Sequence, residues 1–215
     1  MLTQSILCLA AQELVSVQSR YAKRGITVSH AALCGAKKFV EWQHYPSNDL
    51  IDSESGYEVY YHAHSASEMA KGEHGHFHLF KRSAIQSNHF FHLIGIALDH
   101  KGMPVRLFTT NQWVTGERWM NAQKVQEAMQ NFDISVKGPL GPLGRWVSAL
   151  TKLFYVEIRA LIVARDKKIT ALASKDDDKN LILENRNYHV LTELKIDFMD
   201  RLAEHLFVET KKELR

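Results

Sequence analysis

His62, His64, His74, His76 and His78 put five of the chain's 12 histidines inside residues 56–82, spaced two apart within each group. Neutral imidazole is a ligand for zinc, iron, copper and nickel, with metal–nitrogen bonds near ~2.1 Å. A single buried histidine is more often a hydrogen-bonded structural residue than a ligand. Five on one patch are different, because uncompensated imidazoles this close would repel one another once protonated. A bound metal ion is the simplest reason for the set.

Strands would position them. The runs YEVYYHAH and EHGHFHLF are rich in Tyr, Val and Phe, a strand composition. Side chains two apart on a strand share a face. An antiparallel hairpin centred near Ala70 sets His64 opposite His76 and His62 opposite His78. A register slip of two keeps the histidines together, whereas a slip of one separates them. Val59, Tyr61, Ala63, Phe77 and Leu79 then form the core-facing side. His92 lies in a third strand, residues 90–99, apolar on both faces. It joins the patch if that strand neighbours the hairpin, and is otherwise a hydrogen-bonded core histidine.

The carboxylates Glu68 and Glu73 lie between the two histidine groups. A site of histidines plus Glu68 or Glu73, with open positions, suits Fe(II) and oxygen chemistry. Three histidines plus water suit zinc hydrolysis, in which the metal brings the pKa of water to about 7. Iron, copper and zinc are not separable on the sequence, and an oxidoreductase is expected ahead of a hydrolase. Glu73 is also a candidate general base. The segment 109–119 gathers polar groups around Trp113 and Trp119, a composition found at pocket mouths. Within it, Asn111 and Glu117 are candidates for positioning a small-molecule substrate. Non-catalytic alternatives are a metal carrier or sensor, a haem binder with Tyr60 and Phe80 lining the slot, and a closed structural metal site.

The expected fold class is α+β in one domain spanning residues 1–215. Helices fill residues 1–45, a histidine-rich antiparallel sheet of about four strands occupies 57–119, and helices return over 120–208. In detail the periodicity predicts helices over 3–24, 29–43, 118–131, 145–166 and 196–208, with loops at 46–56, 138–144 and 174–180. Residues 188–194 fit a strand or a helix. A net charge of +3 with mixed signs gives no electrostatic case for nucleic acid. No apolar run is long enough for a membrane span and no basic leader precedes the first helix, so a cytoplasmic protein is expected. Cys8 and Cys34 are isolated and read as reduced thiols. Helices around a small sheet leave room for a homodimer.

Two resemblances attach to these residues. The blocks GEHGHFHLF and LFTTNQWVTGE resemble an uncharacterised bacterial domain family over residues 57–119, which implies a shared domain and no particular reaction. Gly56, His62, His64, Glu68 and Gly75 also resemble the first metal-binding motif of the cupin superfamily. That resemblance implies a site of three histidines and one carboxylate. The second cupin motif is absent, with His92 as its stand-in.

Overall fold

Apolar residues alternate with histidines over residues 57–80, and the two faces of the resulting sheet differ accordingly. The computed structural model describes residues 2–65, 70–84, 86, 89–173 and 179–206. Six strands form one antiparallel sheet in sequence order: β1 (Tyr45–Asp52), β2 (Tyr57–His62), β3 (Glu73–Arg82), β4 (Phe90–Asp99), β5 (Pro104–Thr110) and β6 (Val190–Lys195). The fold is α+β, with two strands more than expected. Pro46 and the polar run after it disguise β1 as a loop. An edge strand tolerates a proline, because half of its N–H groups have no ladder partner. β6 resolves the ambiguity of residues 188–194 by pairing with β5.

One face of the sheet is apolar and carries Tyr61, Phe77, Leu79, Ile94, Ile96, Leu98 and Leu107, all fully buried. It packs against α4 (Ala122–Gln130), α5 (Gly141–Leu153) and α6 (Tyr155–Leu172), with α1 (Gln4–Ala22) against α5. Trp146 of α5 is fully buried with its ring 6.1 Å from that of Phe77. The expected helix over 145–166 is two helices meeting at Phe154. The expected loop at 138–144 instead supplies the first turn of α5. Pro142 fits there because its missing N–H would have no partner anyway. Gly144 allows close approach, since a Cβ would stand 2.9 Å from the Ile134 side chain.

The expected helix over 29–43 is the largest departure. Only α2 (Val28–Ala32) forms, capped by Thr27. Cys34 and Gly35 then take positive φ, which ends a helix. Residues 36–44 run irregularly and cross to the other side of the sheet, where the Trp42 amide donates to the Ala63 carbonyl. The remaining helices are α3 (Gln112–Thr115), α7 (Lys179–Leu183) and α8 (Phe198–Leu206). Among the described residues, no helix is long and apolar enough to cross a membrane. Most of the acidic run at 174–180 and the charged tail lie outside the described residues.

Candidate metal centre

Pairing across four strands builds the second face in rows. His62 on β2 faces His76 on β3, then Ala97 on β4 and Arg106 on β5. The next row holds Tyr60, His78, Gly95 and Phe108. The hairpin register is thus displaced by two residues from the one centred on Ala70, and a displacement of two leaves each side chain on its own face.

His62, His76 and His78 are buried, and each offers a ring nitrogen lying within 4.8 Å of those of the other two. His62 Nε2 and His76 Nε2 are 2.7 Å apart. His78 Nδ1 is 3.0 Å from His92 Nε2, and His92 Nδ1 is 3.3 Å from the Thr110 hydroxyl. His92 therefore stands behind His78 with both ring nitrogens engaged. His64 sits at the outer edge of the patch, its ring 4.9 Å from that of His62 and 4.0 Å from that of Trp42.

Two bulges select which residues reach this face. One lies between Glu73 and Gly75, where β3 carries an extra residue against β4. It turns His74 to the apolar side, where Nδ1 is 2.6 Å from the Tyr61 hydroxyl and the ring is 5.6 Å from that of Phe39. His74 is thus separated from the histidines with which it shares sequence spacing, and Glu73 takes its place. The Tyr61 side chain crosses over Gly75 to make that contact. A Cβ on Gly75 would stand 2.7 Å from the His62 carbonyl oxygen and nearer still to the Tyr61 hydroxyl. The second bulge, at the Leu79/Phe80 step of the β3–β4 ladder, sets His92 opposite Phe80 on the histidine face.

Burial holds the cluster neutral. It lowers His62 to about 3, with His64 and His44 adding repulsion. His76 and His78 are pushed well below 6.5 by burial and by their neighbouring histidines. His92 is lowered to about 3 by burial, then by Arg165. Neutral imidazoles keep the lone pairs that coordination needs. His76 Nδ1 is buried without a hydrogen-bond partner.

A cavity of about 390 Å³ adjoins the cluster, lined among others by His64, His76, His78, Trp42, Arg106 and Thr110. Glu73 lines it too, but both of its oxygens accept from Arg106, at 2.6 and 2.8 Å. Asn111 does not face the cavity. It caps α3 by accepting from the Gln112 amide, and its side-chain amide donates to the Ile182 carbonyl. Glu117 is buried, accepts from the His92 backbone N–H, and has one oxygen without a partner. Its carboxyl is raised to about 8 by burial, opposed by that hydrogen bond and by Arg165. Glu68 lies outside the described residues. Sequence reasoning did not find Arg106 or Trp42. Arg106 reaches the site only through the register of three strands, and Trp42 only because α2 stops early.

Residues 8–196 match a family described as a domain of unknown function, DUF6969. The chain belongs to this family. No curated protein and no solved structure matches it. The DUF6969 span contains all six strands and every histidine of the cluster. It agrees with the resemblance to an uncharacterised domain family noted on the sequence.

Proposed function

We propose that this DUF6969 protein is a metal-dependent enzyme in which His62, His76 and His78 hold one divalent transition metal ion. The observation that carries the reading is the convergence of three buried, neutral imidazoles at one point. Two imidazole nitrogens bound at ~2.1 Å to a common ion lie about 3.0–3.4 Å apart, so the 2.7 Å between His62 and His76 needs only a small opening.

His92 and Thr110 fit the role of supporting partners. With His78 donating from Nδ1 to His92, and His92 donating onward to Thr110, the His78 Nε2 lone pair is turned toward the ion. This is how the second nitrogen of a metal-bound histidine is usually held. Among the described residues no fourth side chain joins the three. Three protein ligands beside a cavity suit a site that admits substrate better than a closed structural one.

An imidazole donor set is compatible with iron, copper or zinc. We favour oxygen chemistry at iron or copper over hydrolysis at zinc. Glu73, the carboxylate in the cavity, is held on both oxygens by Arg106 and is poorly placed to accept a proton. The metal would supply the redox chemistry. The protein's part is to line the cavity with Trp42 and Phe108 and to seat a small molecule beside Arg106. Replacing His62, His76 or His78 by alanine should each remove bound metal, measured by elemental analysis of tag-free protein, while the circular dichroism of the sheet persists. Full metal content in all three variants would reject the assignment.

A further inference from the structure

A second cavity, of about 590 Å³, lies between α4 and the far ends of β3 and β4, away from the histidine cluster. Phe90, Phe91 and Met120 give it an apolar lining, and Lys81, Arg82, Arg118 and Lys124 bring four cations to it. Two of these are matched. Arg82 pairs with Glu58, and Lys124 lies 3.3 Å from Glu127. The other two have no carboxylate within ion-pair distance among the described residues. The Lys81 ammonium sits 4.3 Å above the Tyr57 ring and donates to the Ser55 carbonyl. Asp52, the acid whose field Lys81 feels, spends its oxygens on the backbone amides of Glu54, Ser55 and Ser135. Arg118 is exposed, and its Nη1 is 3.3 Å from His89 Nδ1.

We infer that this cavity is a binding site for a small phosphomonoester carried on an apolar, planar body. The lining has two cations in excess in a chain whose whole net charge is +3. A phosphomonoester carries about −1.5 to −2 at neutral pH, so a single group satisfies both, whereas a carboxylate would leave one unmatched. Guanidinium offers a planar fork suited to phosphate oxygens, and ammonium a point charge beside it. Phe90 and Met120 are partly exposed and would receive the organic part. The volume suits a small organic molecule better than a bare ion.

Calorimetric titration of the full chain with phenyl phosphate tests this without reference to the metal. Saturable binding is expected, stronger than that of benzoate or inorganic phosphate. Arg118→Gln and Lys81→Met should each weaken it about tenfold, the effect of losing one charge-assisted hydrogen bond. His78→Ala should leave it unchanged. Lys124→Glu, an exposed change that does not threaten the fold, should weaken it as well. Absence of saturable binding overturns the inference. So does equal binding of benzoate, equal affinity in the Arg118, Lys81 and Lys124 variants, or loss of affinity in His78→Ala.

Discussion

His92 and His78 are both buried histidines on one face, yet their surroundings assign them different work. His78 has one nitrogen directed at His92 and one left for the cluster. His92 spends both, on His78 and on Thr110. Phenylalanine at position 92 keeps an aromatic ring but is somewhat larger than histidine and has neither nitrogen, so the support is lost at a modest overpacking cost. In His92→Phe the affinity for metal should fall about 10–100-fold while saturating metal still fills the site. His78→Ala should not fill at any concentration. Competition with a chromophoric chelator separates the two, and unchanged affinity in His92→Phe would remove it from the supporting role. Glu73 is instructive in the same way. Its place in the sequence suggests a base, but the bidentate pair with Arg106 occupies it.

The hairpin is the element that decides the site, and the bulge at Gly75 decides the hairpin. Because Tyr61 crosses over residue 75 to reach His74, a methyl group there collides with a backbone carbonyl that has little room to move. Gly75→Ala should cost about 1–3 kcal/mol in stability and lower metal affinity by disturbing the register that joins His62 to His76. Denaturant unfolding and metal titration would report the two effects. A variant as stable as the parent would show that the bulge relaxes. The same element shows what a sequence can and cannot reveal. The histidine face of β2 and β3 is legible because alternation is a local property of strands, and a slip of two does not disturb it. The loss of His74 is not legible, since it depends on one extra residue in the β3 ladder and on a tyrosine from the neighbouring strand. Strand β1 is masked by Pro46, and the path of Trp42 by the positive φ of Cys34. Arg106 enters through long-range register, which no local pattern encodes.

At the scale of the whole molecule, the buried cluster ties stability to pH. His62 and His92 fall from 6.5 to about 3 on folding, so below pH 6.5 the unfolded chain binds protons that the folded chain refuses. Stability is then lost as pH falls from 6.5 toward 3, by about 1.4 kcal/mol per pH unit for each such histidine. His76 and His78 act in the same direction. Glu117 acts in the opposite sense. Its carboxyl rises from 4.5 to about 8, so the folded chain holds the extra proton, and that contribution fades as pH climbs through 8. Several histidines outweigh one carboxyl on the acid side, and above 6.5 only the carboxyl remains of these. The metal-free protein should be most stable near pH 6.5, with a steep acid limb and a shallow alkaline one in thermal unfolding. A flat profile between pH 4 and 6.5 would mean that the cluster is solvated. Bound metal should steepen the acid limb, because protons and metal compete for the same nitrogens.

X-ray absorption at the metal edge tests the central claim most directly, using protein purified without an affinity tag and loaded under anaerobic conditions. One ion per chain is expected, with nitrogen or oxygen neighbours at about 2.0–2.1 Å and more distant scattering from three imidazoles, and no bound ion in His76→Ala. Failure to bind iron, copper or zinc, or a bound ion without imidazole neighbours, would contradict the claim.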